Sequence, residues 1–187
     1  MMLTKSAIRE EVSTWRRELP ELSWSTQSQA ICSRLLNLDQ IRNASSIHAF
    51  WPIHLNKEVD IRPLIRFLFA NNVNVFLPIV SGNQLKHGRY LGDQHLKPSR
   101  FGVFEPIPDG DFDAKLLDCI LVPALAVDLF GNRIGYGKGY YDSFLQPLNV
   151  LKIAPIFENQ IVEGIQAEPH DVSVDILVTE LDIHHVI

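Results

Sequence analysis

The sequence predicts an α/β fold of three layers, α/β/α, with a mainly parallel sheet in a single domain spanning residues 1–187. Three observations predict it. Short apolar runs alternate along the chain with segments of helical periodicity. Those runs are continuously apolar rather than strictly alternating, as strands covered on both faces are. A chain of 187 residues suits one domain and can bury a core without disulfides or a structural metal.

The elements follow in order. Residues 4–19 place Ile8, Val12 and Trp15 at helical spacing, with Thr4 as N-cap and Pro20 as the stop. Residues 25–38 repeat the pattern with Ala30, Ile31, Leu35 and Leu38. Residues 46–51 read as a first strand halted by Pro52. Asp60 caps a predicted helix over 61–71, whose core face is Leu64, Ile65, Leu68 and Phe69. Residues 73–77 form a second strand, ended by Pro78. Residues 81–112 read as functional loops holding short strands around 84–89. Residues 116–122 are a buried strand, 138–146 a helix entered through a glycine-rich turn, and 150–157 and 174–179 further strands. A short helix is expected at 161–165. Trp15 and Trp24 are expected to pack helices, whereas Trp51, at a strand end, could pack or stack on a ring.

Composition narrows the function. The two cysteines, Cys32 and Cys119, lie far apart and form no CxxC pair, so neither a disulfide framework nor a zinc site is indicated. Cys119 in its apolar run reads as a buried thiol. The first 17 residues are charged throughout and hold no signal-type apolar stretch, and no run reaches the ~18 residues of a membrane span. A soluble, cytoplasmic protein is expected, with no membrane partner, and a monomer is the expected state. The net charge of −5 argues against a nucleic-acid partner. The seven histidines include no HxxxH pair, and no Gly-x-Ser-x-Gly elbow occurs, which disfavours a histidine metal site and a serine hydrolase.

The chemistry concentrates in residues 122–142. Gly131, Gly135, Gly137 and Gly139, four of the chain's ten glycines, lie directly after a buried strand. Glycine lets main-chain amides approach a ligand closely, and inward-turned N–H groups followed by a helix start make an anion cradle. Arg133 and Lys138 add positive charge beside it. The pattern is neither a Walker A loop nor a dinucleotide fingerprint. It suits the phosphates of a nucleotide; a glycine-rich surface turn with Tyr140, Tyr141 and Phe144 merely packing is the alternative. Asp142 reads either as a helix first-turn charge or as a hard oxygen ligand for magnesium.

This segment resembles the signature of the 5-formyltetrahydrofolate cyclo-ligase family: Val-Pro-x-x-x-Val/Phe-Asp, then Gly-x-Arg-Ile/Leu-Gly-x-Gly-x-Gly-Tyr-Tyr-Asp. Every fixed point is present between Val122 and Asp142. Lys5 and Arg9 match the family's Lys-x-x-x-Arg pair and share one helix face. The stretch from Trp51 to Asp60, with Ile53 and Glu58, resembles its substrate segment. Phe101 to Pro106 is similar to its Gly-x-x-Glu-Pro element, and Glu168 to Asp175 to its Glu-Pro-His-Asp element. The match runs over residues 5–180 and is weakest at 81–100. At Tyr136 some relatives carry arginine.

The resemblance implies an ATP-dependent ring closure of 5-formyltetrahydrofolate to 5,10-methenyltetrahydrofolate, with ATP, the folate (with or without a polyglutamate tail) and Mg2+ as partners. It implies ATP contacts from Lys5, Arg9, Arg133, Ile134, Gly135, Tyr136, Gly137, Lys138, Gly139, Tyr140 and Tyr141. Folate contacts are implied for Ile53, Glu58, Tyr136, Gly137, Lys138, Gly139 and Tyr140, with Glu58 on the pterin. Asp142 and Asp171 take the magnesium positions. Lys97 and Arg100 are candidates for the folate's anionic tail. Sugar-phosphate isomerases and CoA transferases, or a non-catalytic binding module, are the rival readings for a fold of this kind.

Overall fold

The computed structural model describes residues 4–82, 84–99, 103–108 and 112–186. Arg100 and the Phe101-Gly102 half of the Gly-x-x-Glu-Pro element lie outside them.

Helix α1 (Lys5–Glu18) is capped by Thr4, whose hydroxyl accepts from the Ala7 N–H at 3.2 Å. Pro20 ends α1 and at the same time opens α2 (Glu21–Asn37), which therefore starts earlier than residue 25. A single turn, α3 (Asp39–Arg42), leads to strand β1 (Ser46–His48). Helix α4 (Arg62–Ala70) begins at Arg62, with Pro63 in its first turn and Ile61, not Asp60, at the N-cap position. Asp60 instead accepts the Arg62 N–H at 3.2 Å and clamps the Arg62 side chain at 2.6 and 2.7 Å.

Strand β2 (Asn74–Ser81) runs straight through Pro78, against the expectation that the proline ends it. Main-chain groups alternate sides along a strand. The Val75 carbonyl accepts from Tyr90 on the β3 (Gln84–Arg89) side, whereas the Val80 N–H donates to the Glu105 carboxylate on the other. Pro78 therefore turns its donorless nitrogen away from β3, beyond the last β1–β2 pair at His48 and Phe76, where no ladder bond is lost. A small hairpin, β4 (Leu96–Pro98) with β5 (Phe104–Pro106), follows in the region read as loop.

Strand β6 (Cys119–Leu121) is shorter than expected because residues 114–116 form a 3-10 turn. A two-residue ribbon pairs β7 (Ala126–Val127) with β8 (Arg133–Ile134). Helix α5 (Tyr140–Leu145) starts behind Gly139. Strands β9 (Leu151–Pro155), β10 (Ile176–Val178) and β11 (Ile183–His185) complete the sheet. The helix expected at 161–165 does not form. Ile161 bridges Val127, the turn sits earlier at 158–160, and Asp128 takes the Ile165 N–H.

The seven strands are ordered β11-β10-β9-β6-β1-β2-β3, parallel in the middle and antiparallel at both edges. One core, with Ile31, Leu35, Leu64 and Ile65 of α2 and α4, covers one face through Ile47, Val75, Leu121 and Ile153. The other core sets Leu145 of α5 against Ile120, Ala154 and Leu177. From β1 the chain crosses to β2 over the first face; from β6 it crosses to β9, on the opposite side of β1, over the second. The direction of winding reverses between β1 and β6, and a crevice opens beyond their carboxyl ends. Among the described residues no helix is long and apolar enough to cross a membrane.

Candidate active site

A cavity of about 410 Å³ fills that crevice. Its walls come from the segment after β1 (Phe50, Trp51, Ile53, Glu58), the glycine segment after β6, the start of α1 (Lys5, Arg9) and Asp171. Every residue assigned above to ATP, folate or magnesium lines it, although they are spread from position 5 to position 171. Lys97 does not; it pairs with Glu105 across the β4–β5 hairpin.

The glycine loop is shaped by backbone demands. Gly137 and Gly139 have φ of +82° and +68°, a region that side chains disfavour. Among the described residues, the main-chain N–H groups of 135–139 meet no protein acceptor, and they stand beside cations. Arg9 Nε donates to the Gly135 carbonyl at 2.9 Å, which fixes the loop against α1. Lys138 is exposed and makes no ion pair among the described residues. Tyr140 reaches across to the Gly82 carbonyl at 3.4 Å.

The two aspartates are held alike. Asp142 Oδ1 accepts from Arg133 Nη2 at 2.6 Å and from the Val172 N–H at 3.2 Å. Asp171 Oδ2 accepts from Lys5 Nζ at 2.6 Å and from the Glu168 N–H at 2.8 Å. Each carboxylate is thus oriented through one oxygen, and its second oxygen makes no hydrogen bond among the described residues. Burial pulls the Arg133 guanidinium down, and the charges of Asp142 and Asp171 oppose this. Two oriented carboxylates fit magnesium, which takes one or two carboxylates and completes its shell with water and phosphate oxygens. No group of three or more His, Cys, Asp or Glu forms a self-sufficient metal cage among the described residues. His170 is largely exposed, 3.5 Å from Glu168 and 3.8 Å from Asp171.

Glu58 is buried in the cavity wall and contacts the glycine loop through Tyr136. Its Oε2 accepts the Ile53 N–H at 2.6 Å and its Oε1 accepts the Tyr136 hydroxyl at 2.6 Å. Trp24 anchors its main chain, with Nε1 donating to the Glu58 carbonyl at 2.7 Å. Burial lifts the Glu58 carboxyl above its ordinary range; the bonds from Ile53 and Tyr136 and the charge of Arg16 oppose this. Trp51 both lines the cavity and packs 6.1 Å from Tyr90.

The sequence reading missed Phe50, Asn56, Pro78, Val80, Leu85, Val103 and Pro123 of the lining, and left Glu105 without a role. It also passed over Arg16, which is buried and donates to the Tyr136 hydroxyl. A signal existed: Arg16 follows Lys5 and Arg9 at helical spacing, on the face that looks into the site.

Known proteins resemble this chain along nearly its whole length. The sequence profile of the 5-formyltetrahydrofolate cyclo-ligase family matches residues 1–180. The chain is 32% identical over 183 residues to the 5-formyltetrahydrofolate cyclo-ligase of Haemophilus influenzae, covering 93% of this chain and 97% of that one. It is 27% identical over 172 residues to the Escherichia coli K12 protein of the same name, covering 88% and 93%. The NMR structure of 5,10-methenyltetrahydrofolate synthetase from Aquifex aeolicus superposes with a TM-score of 0.88 at 31% identity, over 98% of this chain and 93% of that one. A 5,10-methenyltetrahydrofolate synthetase structure from Mycoplasma pneumoniae shares the fold, with a TM-score of 0.77 at 23% identity over 95% and 99% of the two chains. The chain belongs to the 5-formyltetrahydrofolate cyclo-ligase family and is an enzyme of the ligase class.

Proposed function

We propose that this enzyme converts 5-formyltetrahydrofolate and ATP to 5,10-methenyltetrahydrofolate, ADP and phosphate through a phosphorylated formyl intermediate. The observation that carries this reading is one cavity lined by two chemically distinct sets of groups. Loop N–H groups that meet no protein acceptor among the described residues, with Lys5, Arg9 and Lys138, suit a triphosphate, and the buried acceptor Glu58 suits a ring bearing N–H groups.

A formamide oxygen is a poor leaving group, so the ring cannot close until that oxygen is activated. In the proposed sequence the formyl oxygen attacks the γ-phosphorus and ADP departs, giving an imidate phosphate. Nitrogen 10 then attacks the formyl carbon, and the oxygen leaves with the phosphate. Phosphoryl transfer asks a protein chiefly for alignment and charge neutralisation. Glu58 holds the pterin in register, and Tyr140 walls the space between the two substrates. Arg9, Lys138 and the 135–139 amides fix the phosphates, with Arg133 holding Asp142 behind them. Asp142 and Asp171 would hold a magnesium ion, which supplies charge neutralisation at the phosphate oxygens.

The test is direct. Purified protein with ATP, magnesium and 5-formyltetrahydrofolate should develop the near-ultraviolet absorbance of the methenyl product, and omission of ATP should abolish it. Formation of product without ATP, or no product at all, overturns the reading.

A further inference from the structure

Arg16 is 2% exposed, near the end of α1. Its guanidinium donates to the Tyr136 hydroxyl and lies 5.8 Å from the centroid of the Tyr136 ring. A buried guanidinium is costly without an anion nearby. The anion it faces is Glu58, one hydroxyl away, and both side chains line a common cavity of about 10 Å³. Arginine can only donate and tyrosine has one hydroxyl proton. With Arg16 donating to the phenol oxygen, that proton is directed outward, and its acceptor is Glu58 Oε1 at 2.6 Å. Asn56 Nδ2, 3.5 Å from the same oxygen, is a further donor and leaves the direction unchanged. Glu58 therefore receives a proton donor on each oxygen, from Tyr136 and from the Ile53 N–H. One lone pair on each oxygen is thereby taken by a protein donor, and the other is left for the ligand.

We propose that Arg16 is a positioning residue: acting through Tyr136, it holds Glu58 as an ionised carboxylate whose remaining lone pairs face the ring N–H groups of the folate. This rests on the reading that the cavity takes a formylated tetrahydrofolate. The other charged or titratable groups around Glu58 leave this role to Arg16. Tyr141 is buried and neutral, and burial lifts its phenol above the ordinary range. Lys57 turns to the Leu19 carbonyl and to Glu21, and His54 also turns to Glu21. Burial alone drives Glu58 toward its neutral form.

The relay is measured without ligand by 13C-carboxylate NMR of Glu58, its resonance identified by its loss in Glu58→Gln. In Arg16→Met the Glu58 titration should move up by about one pH unit or more. Arg16→Lys, which still donates to the phenol, should return most of it. Tyr136→Phe cuts the relay while keeping the ring, and should displace Glu58 in the same direction even if Arg16→Met fails to fold. In the assay, Arg16→Met should raise the folate KM roughly tenfold at neutral pH and leave the ATP KM unchanged. The acid limb of kcat/KM for the folate should move with the Glu58 titration. A Glu58 titration that neither Arg16→Met nor Tyr136→Phe moves overturns the proposal, as does an ATP KM that rises as much as the folate KM. Failure of the wild type to turn over the folate strikes the functional reading instead, and the NMR titration still decides the relay.

Discussion

Lys5 Nζ lies 2.6 Å from Asp171 Oδ2, so the first turn of α1 is tied to a loop 166 residues further along the chain. Side-chain exposures of 19% and 15% make the pair largely shielded from solvent. Burial works against both charges, yet the hydrogen bonds and opposite charge win. The Asp171 carboxyl is held below its usual range and the Lys5 ammonium above its own. The depressed carboxyl contributes stability above roughly pH 4 that is lost as pH falls through its folded value. The raised ammonium contributes stability below roughly pH 10.5 that is lost as pH rises through its folded value. Lys5→Met should therefore cost about 1 kcal/mol at pH 7. The cost should shrink below pH 4, when urea denaturation is compared across pH.

Asp142 and Lys138 sit four residues apart in the same loop-to-helix segment and should separate structure from function. Asp142 balances Arg133, whose side chain is only 4% exposed. Asp142→Asn keeps the acceptor for Arg133 and Val172 but removes the charge, and should cost about 2 kcal/mol while the protein still folds. Turnover should fall sharply, and wild-type turnover at saturating magnesium would remove its metal role. Lys138 is exposed and makes no ion pair among the described residues, so Lys138→Ala should change stability by less than about 0.5 kcal/mol. Its ATP KM should rise or its kcat fall; if neither changes, the anion-cradle account fails for that residue.

Gly131 and Gly139 both have positive φ, of +80° and +68°, but differ in what surrounds them. A Cβ on Gly131 would meet the Val174 carbonyl at 2.3 Å, where the Val174 N–H also donates to the Gly131 carbonyl at 2.9 Å. A Cβ on Gly139 meets nothing within 4 Å. Gly139→Ala should cost about 1 kcal/mol of backbone strain alone. Gly131→Ala should cost several times more, because the main chain itself must move. Thermal denaturation of the two variants side by side checks this, and equal losses would refute the distinction.

Much of the fold was legible because helical periodicity and caps are local. Thr4, Pro20 and the Leu64-Ile65-Leu68 face mark α1, α2 and α4 without tertiary information. What failed was settled by distant partners. Pro78 stays inside β2 only because β1 ends before it, and residues 161–165 stay irregular because Asp128 and Val127 take their N–H groups. The two-residue strands β7 and β8 are too short to carry a periodic signal, and so is the three-residue edge strand β11. At the site, residue spacing pointed to the glycine loop and Asp142, whereas Asp171 and Glu58 came only from the resemblance to the family; the structure brings all of them to one cavity. The spacing of Arg16 after Lys5 and Arg9 was legible, but its role was not, because its partner at Tyr136 stands 120 residues away.

His48 gives the fold an acid limit independent of the site. It is fully buried in β1, with its ring 4.9 Å from Phe144 and 6.3 Å from both Tyr141 and His87. Neither ring nitrogen has a hydrogen-bond partner among the described residues. Burial, and secondarily the charge of His87, push its pKa down to about 3. An unfolded histidine titrates near pH 6.5. The folded value is the lower one, so the unfolded chain binds the extra proton first. Stability is complete above roughly pH 6.5 and drains away as pH falls toward about 3, by about 1.4 kcal/mol per pH unit. Between roughly pH 6.5 and 5 the loss should reach about 2 kcal/mol. Asp171 cannot contribute in that interval, since its carboxyl titrates below the ordinary range. His48→Leu removes the titrating group and two unpartnered nitrogens together. It should flatten the acid slope of urea denaturation between pH 6.5 and 5 and leave neutral-pH stability equal or higher. A slope identical to wild type would mean that His48 does not carry the acid sensitivity of the core.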